Sequence, residues 1–181
     1  MDSESAERVR RFFDEFVFGF MYHDIQAAFD ANANYLAALG LVAYTEFMGG
    51  LIDGTLGEIG NSKKRFYSFW NRMGAEYQSL ATQRALVKIY SNVRSGLVHY
   101  FIAQDSIVKM TAGDGYGNRC GVEVAEPGGQ VVFVVEKYFN DFKAACALYF
   151  QELVELRDPP LLKSFDKALG DKWLGTPHID A

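Results

Sequence analysis

The sequence predicts a mainly α protein: a bundle of five to six helices with a small antiparallel β-hairpin or sheet inserted between helices four and five. Three observations predict it. Apolar residues recur at helical spacing over long stretches before residue 104 and again after residue 137. All four prolines, Pro127, Pro159, Pro160 and Pro177, lie in the last third, so none interrupts a helix before it. Between about residues 105 and 136 the pattern changes to β-branched segments separated by glycine-rich turns.

Taken in order, Val9, Phe12, Phe13, Phe16, Val17, Phe20, Met21, Ile25, Ala28 and Phe29 define a long first helix over residues 4–29, with Glu4 and Glu7 suited to its positive N-terminus. Asn34 suits the cap of a second helix running to Phe47, apolar nearly all round as a helix enclosed by others should be. The five glycines from Gly49 to Gly60 read as a loop before Ser62, the expected cap of a third helix with Phe66, Phe69, Trp70, Met73, Tyr77 and Leu80 on one stripe. A fourth helix is expected from Thr82 to about Ala103, on the stripe Leu86, Ile89, Tyr90, Val93, Leu97 and Phe101.

Ser106–Thr111, Arg119–Val124 and Gln130–Val135 read as two or three antiparallel strands, parted by turn clusters at 113–117 and 127–129. Tyr138 to Leu156 restores the helical period for a fifth helix. Asp158 as cap, Pro159 at the first helical position and Gly170 after Leu169 bound a sixth. The tail, 171–181, reads as irregular.

The 181 residues suit one domain, since single cores usually run to roughly 100 to 200 residues. With 49% apolar and 23% charged residues, the composition excludes disordered and collagen-like classes. A net charge of −5 disfavours polyanion binding through bulk charge, so any nucleic-acid contact is local. Two cysteines, Cys120 and Cys146, make no disulfide framework and point to a reducing compartment. The charged and polar start lacks an export signal's apolar core, and the longest apolar run, Tyr35 to Tyr44, is short of the roughly 20 residues a span needs. A cytoplasmic protein with no membrane partner is the expectation.

His23, His99 and His178 show no metal-ligand spacing with each other or with the cysteines, and none has a glutamate three residues before it. No metal or cofactor is expected. The glycines at 113, 115 and 117 lie between predicted strands and read as a turn, not a phosphate cradle. Cys120 beside Arg119 reads as strand packing.

The remaining candidate is Arg94-Ser95-Gly96-Leu97-Val98-His99. Arginine stabilises charge on a phosphoryl group and histidine moves a proton near neutral pH, which together suit metal-independent RNA cleavage. On one ideal helix residues five apart point about 140° apart with a rise of about 7.5 Å, so a single helix arranges them poorly. An isologous dimer brings a second pair to the same patch.

On these residues the chain resembles the HEPN superfamily, helical bundles in which an Arg-x4-6-His motif lies late in the fold. The resemblance covers most of residues 4–157 and implies a homodimer whose interface joins two motifs. It also implies metal-independent endoribonuclease chemistry with Arg94 and His99 as catalytic residues, in toxin, defence or RNA-processing systems with a protein antitoxin or regulatory partner. Family members often carry Asn, Asp or His after the arginine, where this chain has Ser95. Some toxin members carry a tyrosine two residues after the histidine, where this chain has Phe101.

Around the motif, Ser95, Asn92 and Tyr100 are candidate cleft residues. Glu46, an acid in an apolar helix, needs a partner such as Arg94 or else faces a cleft. Lys63, Lys64 and Arg65 open the third helix, where cations oppose the helix dipole, and are candidates for holding an RNA backbone. Two other functions fit the same chain: a noncatalytic HEPN-like module that binds RNA, a nucleotide or a protein, and a helical small-molecule binder whose aromatic residues line a pocket.

Overall fold

A computed structural model describes residues 3–82, 90–96, 106–113, 115–116, 118–124 and 130–170. The chain is mainly helical with one small mixed sheet. The long first helix is a continuous rod of three parts: α1 (Ser3–Phe12), a π-helical segment (Phe13–Met21) and α2 (Tyr22–Asp30). Its buried residues Val9, Phe13, Val17, Met21 and Ile25 repeat every four positions, a spacing that drifts about 40° per step on an ideal α-helix. The wider π turn takes up part of that drift, as the bond from Tyr22 N–H to Val17 O spans five residues. Phe20, predicted on the inner stripe, is 44% exposed.

α3 (Asn34–Asp53) is the central helix, touching α2, α4 (Ser62–Trp70), the later helices and the first strand. Its cap position is Ala33, not the expected Asn34, whose amide instead donates to Val108 O at 3.3 Å and ties α3 to the sheet. It also runs past Phe47 through Gly49 and Gly50, which sequence placed in a loop. At Gly49 a Cβ would lie 1.7 Å from Arg65 O, so this glycine is where α4 presses backbone to backbone on α3. The helix ends at Gly54, whose φ of 64° is a left-handed stop. By length and composition α3 is apolar enough to cross a membrane, beyond the shorter run read from sequence; 56% of its apolar window is buried by the rest of the fold.

The expected third helix is two, α4 and α5 (Ala75–Thr82), because Gly74 at φ 126° turns the chain between them. The expected cap Ser62 is the first helical residue after Asn61, and its hydroxyl accepts from Arg65 instead. Of the expected fourth helix, residues 90–96 are described, with Tyr90–Ser95 π-helical; 83–89 and 97–105 lie outside the described residues. The predicted tail at 171–181 does too.

Strands β1 (Ser106–Lys109), β2 (Val122–Val124) and β3 (Val131–Val134) form a sheet in the order β1-β3-β2. β2 and β3 are antiparallel as expected, but β1 runs parallel to β3, so the sheet is mixed. The residues Val131, Val132, Phe133 and Val134 are all buried, and a strand apolar on both faces belongs in the middle of a sheet. β3 therefore separates β1 from β2. In the glycine turn Gly113 and Tyr116 form an isolated antiparallel bridge.

α6 (Val135–Gln151) follows β3 directly and passes into a last π-helical segment (Glu152–Leu156), together the predicted fifth helix. α7 (Pro159–Leu169) begins as predicted, with Leu161 N–H donating to Asp158 Oδ1 at 3.1 Å, and ends at Gly170. The core is aromatic: Phe13 meets Tyr149 and Phe165, while Trp70, Tyr77, Tyr138 and Phe133 form a second run beneath the sheet.

Candidate functional site

Three charged side chains from three elements meet where α3, α4 and the Tyr90–Ser95 segment touch. Glu46 projects from α3, Arg65 from the first turn of α4, and Arg94 from the π-helical segment. The Glu46 carboxylate accepts from Arg65 Nη2 at 3.0 Å through Oε1 and from Arg94 Nε at 2.8 Å through Oε2, which also forms an ion pair with Arg94 Nη2 at 2.6 Å. The three side chains are between 11% and 18% exposed, so the charges are largely desolvated and need one another. Burial by itself raises the Glu46 pKa, but hydrogen bonds from Ser62 and Arg65 and the charge of Arg94 outweigh it and hold the carboxyl below its usual range.

The Arg94 guanidinium also lies over the Tyr90 ring, 5.5 Å from its centroid. Tyr90 meets Phe66 edge-on at 5.5 Å and lies 6.4 Å from the Tyr67 ring. Burial pushes the Tyr90 phenol above its ordinary value, against the lowering effect of Arg94. Arg65 is the most tethered group. It donates from Nη1 to the carbonyls of Thr55 at 3.1 Å and Glu58 at 2.8 Å, and from Nη2 to Ser62 Oγ as well as Glu46.

Lys63, Lys64 and Arg65, read from sequence as candidates for holding an RNA backbone, divide between two faces of α4. Consecutive helical residues point about 100° apart, so the three cannot share a face. Arg65 turns inward to Glu46, while Lys63 and Lys64 line an open groove of about 550 Å³ with Gly60, Tyr67, Ser68 and Asn71. Asp53 lies at its edge, accepting from Ser68 Oγ at 2.8 Å and 3.6 Å from Lys64 Nζ. Among the described residues Lys63 has no ion-pair partner.

Of the residues singled out from sequence, Arg94, Glu46 and Arg65 form one cluster, with Lys63 and Lys64 on the adjoining outer face of α4. Asn92 and Ser95 share the π-helical segment with Arg94. His99 and Tyr100 lie outside the described residues. Ser62, Tyr90 and Asn71 were not singled out for the site. Ser62 was legible only as a helix start and Tyr90 only as a member of an apolar stripe.

Burial pushes the Cys120 thiol up to about 11 and raises Cys146 further, so neither is an activated nucleophile. Among the described residues no three His, Cys, Asp or Glu side chains gather as a metal site. Comparison with protein-family profiles, curated proteins and solved structures finds no match to this chain.

Proposed function

We propose that the chain is a HEPN-like metal-independent endoribonuclease whose active site is completed in a homodimer by Arg94 and His99 of both copies. The observation that carries the reading is the setting of Arg94. Its guanidinium is held in a defined position by Glu46 and stacks on Tyr90, whose ring lies 6.4 Å from Tyr67 in the groove lined by Lys63 and Lys64. A fixed guanidinium stabilises charge on phosphate oxygens at little ordering cost, and the two lysines add local positive charge on a chain whose net charge is −5.

In this reading His99 removes the proton of a ribose 2′-hydroxyl, the 2′-oxygen bonds to phosphorus, and the bond from phosphorus to the 5′-oxygen breaks. The second histidine of the dimer protonates that leaving oxygen, giving a 2′,3′-cyclic phosphate and a 5′-hydroxyl. Arg94 neutralises the added charge on the phosphoryl oxygens.

The test is end-labelled RNA incubated in EDTA with wild type, His99→Ala and Arg94→Ala. Cleavage with cyclic phosphate ends by wild type, reduced at least about 100-fold in both variants, is the expected result. Equal cleavage by all three removes these residues from the mechanism. The occupied state of Arg94 favours a second reading, a noncatalytic HEPN-like module in which the cluster ties helices together; it predicts RNA or partner binding without turnover.

A further inference from the structure

The two oxygens of Glu46 serve different arginines, and the two arginines are held unequally. Without Glu46, Arg65 still has the Thr55 and Glu58 carbonyls and Ser62 Oγ. The described hydrogen bond and ion pair of Arg94 both end on Glu46 Oε2, and its guanidinium lies over the Tyr90 ring. Arg94 is therefore the member that can exchange, and it can leave while Oε1 stays bound to Arg65.

A guanidinium fork donates to phosphate oxygens in the same planar geometry as to carboxylate oxygens. One carboxylate against two guanidinium groups also leaves the cluster one positive charge in excess, which one phosphodiester neutralises. We propose that Glu46 is an internal surrogate for the RNA phosphodiester: it holds Arg94 in the free protein and yields it to the backbone phosphate on binding, while Arg65 retains the carboxylate. The proposal rests on the reading of Arg94 as an RNA contact. It makes Glu46 a positioning residue that competes with the ligand it prepares for.

The test is fluorescence anisotropy with a 2′-O-methyl oligonucleotide, which keeps the phosphodiesters and lacks the attacking hydroxyl. Removing one negative charge beside the phosphate in Glu46→Gln tightens binding by about tenfold. Glu46→Asp keeps the charge and withdraws it by one methylene, so it tightens binding by a smaller factor; it carries the test if Glu46→Gln does not fold. Arg94→Gln weakens binding, and in that background Glu46→Gln changes affinity by less than about twofold, because the competition has no object.

A full tenfold gain in the Arg94→Gln background indicates diffuse electrostatics and overturns the surrogate role. Wild-type binding that Glu46 substitution leaves unchanged or weakens overturns it alone. Absence of binding by every protein overturns the RNA reading and the surrogate with it. A nucleoside 5′-monophosphate that binds as tightly as the oligonucleotide assigns Arg94 to a free nucleotide and overturns the backbone role.

Discussion

Glu46 shows how much a single residue discloses. A carboxylate in an apolar helix has to find a cation or lose its charge, so a partner such as Arg94 was legible from sequence. Arg65 was not, because it was grouped with its two lysine neighbours as a candidate contact to an RNA backbone. The folded-state pKa of Glu46 lies below its ordinary value of 4.5. The stabilisation it contributes is therefore fully present above about pH 4.5 and is lost as pH falls through the lower folded value. Thermal midpoints measured from pH 7 to 3 are expected to show a gap between wild type and Glu46→Gln that narrows at the acid end; a constant gap contradicts the pairing. Tyr77 is a second informative position. Its hydroxyl donates to Asp141 Oδ2 at 2.7 Å and accepts from Gly121 N–H at 2.8 Å, joining α5, α6 and the start of β2. Tyr77→Phe removes both bonds but leaves Gly121 N–H its longer bond to Asp141 Oδ2 at 3.3 Å, and is expected to cost about 1–2 kcal/mol in urea denaturation.

At the scale of elements, glycine is where sequence and structure part. Five glycines in thirteen residues resemble a loop, yet Gly49 and Gly50 are helical because a neighbouring helix needs their missing side chains. Gly49→Ala places a methyl group inside the contact distance of the Arg65 carbonyl. Relieving it forces α4 off α3 and shifts the Arg65 side chain that anchors Glu46. A loss of about 3 kcal/mol or more is expected by denaturant titration, against a gain if Gly49 were an unconstrained helix position. Gly74 misleads in the other direction, since the apolar stripe continues across it while the backbone turns. The π-helical middle of the first rod has its own signal, the four-residue repeat from Val9 to Ile25, which a stripe drawn at 3.6 residues blurs.

For the whole molecule, the composite-site proposal requires two chains, since each supplies one Arg94 and one His99. Light scattering at micromolar concentration is expected to give twice the chain mass, and a strict monomer overturns that mechanism. The fold itself is organised around α3, which reaches α2, α4, α6, α7 and β1. Substitutions on its inner face, such as Leu41→Ala, are expected to lower stability by about 2–5 kcal/mol and to lower every spectroscopic signal together.

The sequence by itself determined the mainly helical class, the place of the sheet, the start and stop of α7, and the need of Glu46 for a partner. Each of these follows from local period, capping chemistry or the cost of burying a charge, which a chain carries wherever its neighbours lie. Only tertiary structure decided that Gly49 is a contact and not a loop, that β3 takes the middle of a mixed sheet, and that Arg65 turns inward while Lys63 and Lys64 turn out. Those outcomes depend on which surfaces meet, and close packing between elements distant in the chain leaves no mark in the spacing of either one.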